Sequence, residues 1–85
     1  MKYLVVTKNY NKELFSAIDI DDLLLFLAQY FGNDKRKPVL RCGINGCNTI
    51  DEKVEMYNAL TYFDDDKIKQ IYEIGEHIYG EANDG

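Results

Sequence analysis

The sequence is poor in the residue types that carry most enzyme chemistry. It has one histidine, two cysteines and no glycine-rich loop of the kind that binds phosphate groups. Histidine is the side chain whose unperturbed pKa lies near neutrality, so His77 is the one ready candidate for acid and base catalysis. The helical pattern around it predicts a solvated surface position. We therefore expect no catalytic residue, no cofactor and no enzyme activity.

Long apolar runs are absent as well. The longest, residues 23–28, is far shorter than the roughly 20 apolar residues of a membrane-spanning helix. The first residues lack the charged and then apolar pattern of a signal peptide. These absences predict a soluble, cytoplasmic protein that does not bind membranes.

What the chain does have is enough apolar surface for one core. Its 85 residues allow a single domain, and the 46% hydrophobic and 13% aromatic content argues against disorder. We expect one globular domain over residues 1–80, and a frayed tail over residues 81–85. No motif of the chain identifies a family.

The two cysteines flank an Asn-Gly pair, which is the strongest short signal for a two-residue β-hairpin. A hairpin at Asn45-Gly46 would place Cys42 and Cys47 diagonally on one apolar face, too far apart for a disulfide. Three states remain open: buried free thiols, a disulfide, or a metal site completed by His77. Buried thiols are favoured, and they indicate a reducing compartment and no metal.

Periodicity and capping signals define the other elements. Residues 2–8 predict an inner strand, and residues 13–18 predict a returning strand or, alternatively, the start of the next helix. Asp19 is a good N-cap for a helix over residues 20–31, and the capping box Thr49 to Glu52 starts a second helix. Isoleucines spaced three and four apart predict a third helix over residues 67–79. The fold class is α+β: a three- or four-stranded, mostly antiparallel sheet packed with about three helices, with an all-helical fold as the weaker alternative.

Charge is unevenly distributed along the chain. The net charge is −5, and residues 42–85 hold three lysines against ten acidic residues. Such a surface repels nucleic acid and attracts basic partners, although it also simply keeps a small protein in solution. Two aspartate clusters, residues 19–22 and 64–66, lie where acidic side chains are expected to cap the N-termini of helices. Neither cluster has the residue spacing of a calcium-binding loop. One basic patch is present, and it is too small to predict direct nucleic-acid binding: Lys35, Arg36, Lys37 and Arg41.

Several apolar side chains fall outside the stripes that the predicted helices turn toward the core. Either the core uses both sides of the first helix, or these side chains form a protein interface. The two interpretations are about equally supported by the sequence. The side chains are Leu25, Phe26, Met56, Phe63 and Ile74.

The sequence therefore predicts a non-catalytic, acidic protein-binding module with a larger, basic or nucleic-acid-binding partner. One concrete form is a small phage or mobile-element inhibitor of a nucleic-acid-handling host protein, analogous to anti-CRISPR proteins in size and charge alone. The alternative is a homodimeric structural or accessory subunit that uses the apolar helix face at Leu25 and Phe26. The carboxylates predicted to contact the partner are Asp64, Asp65, Asp66, Glu73 and Glu76.

Overall fold

A computed structural model describes residues 1–73 and 76–80, with only the backbone of Glu76 and His77. Three α-helices and four strands follow one another with two short 3₁₀ turns between them, and this confirms the α+β class. The elements are β1 (Lys2–Thr7), β2 (Lys12–Ser16), α1 (Ile20–Tyr30), a 3₁₀ turn (Asp34–Arg36), α2 (Lys37–Asn45), α3 (Ile50–Leu60), a second 3₁₀ turn (Asp64–Asp66), β3 (Ile68–Glu73) and β4 (Glu76–Tyr79).

The four strands form one antiparallel sheet in the order β2-β1-β3-β4. The inner position predicted for β1 is confirmed, and residues 12–16 form the returning strand rather than the start of a helix. Alternate side chains of the sheet pack under the three helices, so the helices share one face of it. The buried core joins Tyr3, Val5, Phe15, Ile68 and Ile71 of the sheet with Leu23, Leu24, Leu27, Leu40, Ile44, Val54 and Tyr57 of the helices.

Both predicted helix starts are confirmed in detail. The Asp19 side chain accepts a hydrogen bond from the Asp22 backbone N–H at 2.8 Å. At α3, Thr49 and Glu52 form the full reciprocal capping box. Each cap satisfies backbone N–H groups that the first turn of a helix leaves without partners.

The predicted hairpin at Asn45-Gly46 is wrong, because residues 37–45 form α2. Leu40 and Ile44 are the buried residues of this segment, and a spacing of four fits one face of a helix as well as one face of a strand. Pro38 sits in the first turn, where its missing N–H costs nothing. Gly46 ends the helix at φ −89°, whereas a type I′ turn needs positive φ.

The buried position predicted for the two thiols is wrong as a consequence. Cys42 is exposed and Cys47 is half-buried, with its Sγ 3.2 Å from the Gly43 carbonyl oxygen. Both are free thiols, so the disulfide is excluded. Gly43, assigned to the hairpin by the sequence, instead lies where α2 passes the Met56 side chain of α3.

The predicted third helix over residues 67–79 is also wrong, because this segment contains β3 and β4. Thr7 pairs with Ile68 and Val6 pairs with Gln70, so Lys69 is an extra residue that forms a β-bulge. The bulge lets Ile68 and Ile71 face the core together although they are three residues apart. Ile74, Gly75 and the predicted tail, residues 81–85, lie outside the described residues.

Candidate functional site

The structure divides the predicted acidic set between the two ends of β3. The aspartates 64–66 form the 3₁₀ turn that precedes this strand, and Glu73 is its last residue. At about 3.3 Å per residue, the strand alone separates the two groups by roughly 16 Å. Glu76 begins β4 and pairs with Glu73 through the backbone, while its side chain lies outside the described part of the chain.

The aspartate turn is partly neutralised by neighbouring lysines. Asp64 lies 3.2 Å from the Lys67 Nζ and 3.4 Å from the Lys8 Nζ, and these contacts lower the pKa of the Asp64 carboxyl. Partial burial, and then the charge of Asp65, raise the pKa of Asp66. The turn is thus a local ion-pair cluster and not a purely acidic surface.

A second group of carboxylates, of which the sequence predicted only Glu73 as a site residue, meets at the opposite end of the sheet. Helices α1 and α3 both begin there, and the Asp21 carboxylate joins them through an ion pair of 2.8 Å with the Lys53 Nζ. That contact, with smaller contributions from neighbouring charges, raises the pKa of Lys53. We call this end the acidic pole and define it as Asp19, Asp21, Asp22, Asp51, Glu52, Glu55 and Glu73.

Burial, together with the negative charge of the acidic pole, raises the pKa of two tyrosines. Burial raises the pKa of the Tyr3 phenol, and the charges of Glu73 and Asp19 raise it further. Burial likewise raises the pKa of Tyr79, with Glu55 and Asp51 as the next causes. A negative field disfavours the phenolate, so carboxylates from both helices and from β3 contribute to these shifts.

The double variant Asp51→Asn/Glu55→Gln should lower the pKa of Tyr79 toward its ordinary value of 10.0. The pKa should stay above that value, because burial of the ring is unchanged. NMR titration of the tyrosine ring carbons measures this for each of the seven tyrosines separately. The matched variant Asp64→Asn/Asp65→Asn removes the same charge from the other end of the sheet and should leave the pKa of Tyr79 unchanged. An equal shift of this pKa in both variants would contradict the acidic pole.

The carboxylates of the acidic pole differ in how free they are to bind a partner. Asp19, Asp22 and Glu52 accept backbone hydrogen bonds at the helix starts, and Asp21 holds Lys53. The remaining three carboxylates, in contrast, have no hydrogen bond or ion pair within the described residues. They are Asp51, Glu55 and Glu73.

The predicted apolar pair on α1 is divided by the structure. Leu25 is half-buried and packs against the core, which supports a core that uses more than one side of α1. Phe26 is 44% exposed and meets the Phe15 ring edge to face at 5.8 Å. Tyr30, half exposed, contacts both rings and donates a hydrogen bond to Glu13 at 2.7 Å. An aromatic cluster of Phe15, Phe26 and Tyr30 therefore lies beside β2, with Phe15 buried and the other two rings exposed.

The small basic patch is largely occupied within the protein. The Arg36 guanidinium donates to the Leu60 carbonyl at 3.0 Å and lies 4.2 Å from the centre of the Tyr62 ring. Lys37 donates to the Gln29 side chain at 3.2 Å. Two of the four cations in the patch therefore already contact other parts of the protein, and these contacts hold the start of α2 against its neighbours.

No group of three or more metal-ligating side chains lies together in residues 1–73 and 76–80. A recess between β2 and the end of α1 is lined by Val5, Thr7, Asn11, Glu13, Phe15 and Phe31. Its carboxylate, Glu13, is already engaged by the Tyr30 hydroxyl. The His77 side chain, predicted to be solvated, lies outside the described part.

The sequence predicted Glu73 and missed the rest of the acidic pole, because its carboxylates come from three separate segments. The signal that could have found it was present, since the first turns of both helices carry acidic residues: Asp21 and Asp22 in α1, and Asp51 and Glu52 in α3. None of the described helices combines the length and the apolar character needed to cross a membrane. Comparison with known proteins assigns the chain to no group: no protein-family model, curated protein or solved structure matches it.

Proposed function

We propose that this chain is a non-catalytic protein-binding module that uses the acidic pole to bind a basic surface on a larger partner. The observation that carries the proposal is the presence of three carboxylates in the acidic pole that have no partner among the described residues: Asp51, Glu55 and Glu73. Such unpaired charges can contact cations on a partner without breaking an internal ion pair. Such contacts increase association rates and weaken with added salt.

The class of partner follows from the same charge. A basic surface that accepts carboxylates is typical of proteins that bind nucleic-acid phosphates, and occupation of that surface would exclude the nucleic acid. A small phage or mobile-element inhibitor, acting in the cytoplasm, is the concrete form that we propose. The two free thiols support a reducing compartment.

Affinity capture with matched charge variants tests the proposal. The variant Asp51→Asn/Glu55→Gln/Glu73→Gln removes three charges from the acidic pole and spares every cap. We expect it to weaken capture of a basic partner from lysate about tenfold, at roughly 0.5 kcal/mol per charge. Duplex DNA should compete with the unmodified protein for the same prey.

The control removes three charges from the aspartate turn: Asp64→Asn/Asp65→Asn/Asp66→Asn. It should retain most of the capture, because it changes net charge equally and leaves the acidic pole intact. Preferential loss in this control would move the interface to the turn. Equal capture by all three proteins, at low and at high salt, would contradict an acidic interface of either kind.

A homodimer or accessory subunit that uses the apolar face of α1 is the second candidate. One observation favours it, namely the exposure of Phe26 and Tyr30 in the aromatic cluster. Leu25 is a poor probe of such an interface, because its contacts with the core make any polar replacement affect folding as well.

A further inference from the structure

Strand β2 is an open edge of the sheet. Of the two edge strands, β4 is short, carries a register shift and lies against α3. Strand β2 pairs with β1 in regular register, contains no proline, and exposes every residue except Phe15. Bulges, prolines, charged side chains and short length are the usual features that keep an edge from pairing with another chain. Strand β2 has no bulge and no proline; it is five residues long and carries two charged side chains, Lys12 and Glu13.

The hydrogen-bonding pattern shows which backbone groups of β2 are free. Met1 and Ala17 exchange both backbone hydrogen bonds, at 2.8 and 2.9 Å. Because residues of an antiparallel ladder alternate, Glu13 and Phe15 also point their backbone groups toward β1. The N–H and C=O groups of three exposed residues therefore point away from the sheet: Lys12, Leu14 and Ser16.

Apolar side chains border this edge on both faces of the sheet. Leu14 is 71% exposed on the face away from the helices. On the helix face, Phe26 and Tyr30 stand beside Phe15. An edge with free backbone groups and exposed apolar side chains on both faces is suited to pairing with a further strand.

We propose that β2 pairs antiparallel with β2 of a second copy, about a two-fold axis at Leu14. In this register Leu14 faces Leu14, and Lys12 of each copy faces Ser16 of the other. It is the symmetric register in which all three free residues find partners, with about six new backbone hydrogen bonds. The two sheets then form one continuous sheet, and the exposed leucines cover each other.

This orientation limits the repulsion between two copies that each carry a net charge of −5. Strand β2 starts at Lys12 and runs toward the acidic pole, which begins at Asp19. Antiparallel pairing therefore sends the two acidic poles to opposite ends of the dimer. It also brings Lys12 of one copy beside Ser16 of the other, close to that copy's acidic pole. The proposal is independent of what the acidic pole binds.

Opposite charges introduced at Ser16 test the register by the sign of the effect. Ser16→Glu places a carboxylate opposite Lys12 in two symmetric pairs, and should tighten the dimer about fivefold. Ser16→Lys places like charges there and should weaken it by a similar factor. General repulsion between acidic chains predicts the reverse order, since Ser16→Glu makes each copy more negative. Sedimentation equilibrium over a wide concentration range measures both constants.

Leu14→Lys removes the apolar contact and sets two lysines against each other on the axis. Because Leu14 is mostly exposed, the fold should persist and the protein should sediment as a monomer; thermal unfolding of each variant checks the fold. Phe26→Ala is the control for an interface on α1. A monomer at millimolar concentration, a dimer unaffected by Leu14→Lys, or a dimer lost only in Phe26→Ala would each overturn the proposal.

Amide hydrogen exchange gives an independent readout. In the dimer, the amides of Lys12, Leu14 and Ser16 should exchange more slowly as concentration rises. The amides of Glu13 and Phe15, already bonded to β1, should change little. Equal changes at all five positions would indicate a general stabilisation and would contradict strand pairing.

Discussion

Replacement of Gly80 by alanine should destabilise the protein by at least about 3 kcal/mol. Gly80 has a φ of +89°, a conformation that costs an L-residue about 1 to 2 kcal/mol. A Cβ there would lie 2.2 Å from the Lys69 carbonyl oxygen and 2.9 Å from the Gln70 Cα. Backbone atoms of β3 cannot move aside without breaking the pairing with β4. Chemical denaturation measures the loss, and the melting temperature should fall by more than about 12 °C.

Gly32 provides the matched control. Its φ is +80°, close to that of Gly80, but no atom lies within 4 Å of the position that a Cβ would take. Gly32→Ala should therefore cost only the conformational strain, about 1 kcal/mol. The difference between the two variants isolates the close approach of Gly80 to β3. Equal losses would show that the β4 end does not pack as the structure describes.

Asn58→Ala should cost about 2 to 3 kcal/mol, because the Asn58 amide pairs with the backbone at the start of β3. Its Oδ1 accepts from the Ile68 N–H at 2.8 Å, and its Nδ2 donates to the Ile68 carbonyl at 3.1 Å. The Asn58 side chain thus forms with the Ile68 backbone the two hydrogen bonds that a neighbouring strand would form. Removing it leaves both backbone groups unsatisfied in a partly buried place. Urea unfolding with amide exchange at Ile68 measures the effect.

Two further variants separate the amide pair from helix propensity. Asn45→Ala makes the same deletion at an exposed position of α2, and should change stability by less than about 0.5 kcal/mol. Asn58→Asp keeps the acceptor but sets a carboxylate against the Ile68 carbonyl. This variant can keep the bond from the Ile68 N–H but leaves the Ile68 carbonyl without its donor, so it should not restore the stability of the unmodified protein. An Asn58→Ala loss no larger than that of Asn45→Ala would contradict the pairing.

Local signals predicted three features of the chain well. The strand over residues 2–8, the Asp19 cap and the Thr49 capping box each depend on side chains within a few residues of one another. The structure confirms all three. Such features are decided locally, so tertiary packing does not reverse them.

The wrongly predicted elements are those in which the spacing of apolar residues fits both a helix and a strand. Leu40 and Ile44 lie on one face of either a strand or a helix, and the exposed Cys42 between them is the residue that distinguishes the two. In β3, the bulge at Lys69 places two successive core-facing residues three positions apart instead of two. A spacing of three is typical of a helix. A bulge is set by pairing with β1, which lies some 60 residues away. No local pattern contains that information.

The candidate surfaces show the same division between local and distant information. Negative charge was evident from composition, but the sequence placed the partner-binding carboxylates on residues 64–66, Glu73 and Glu76, and the structure pairs Asp64 with Lys8 and Lys67. The acidic pole depends instead on α1 and α3 starting at the same end. The open edge at β2 depends on strand order, which a single sequence does not define.

The central position of β1 also has a consequence for how the chain folds. Strand β1 precedes all three helices in the sequence, yet its neighbour β3 begins at Ile68, after them. Closing so long a loop is entropically costly, and folds that depend on such distant pairings form slowly. One edge of β1 therefore stays unpaired until β3 has been made and reaches it. The helices can pack with one another before then, so the docking of the C-terminal hairpin is the step that completes the domain.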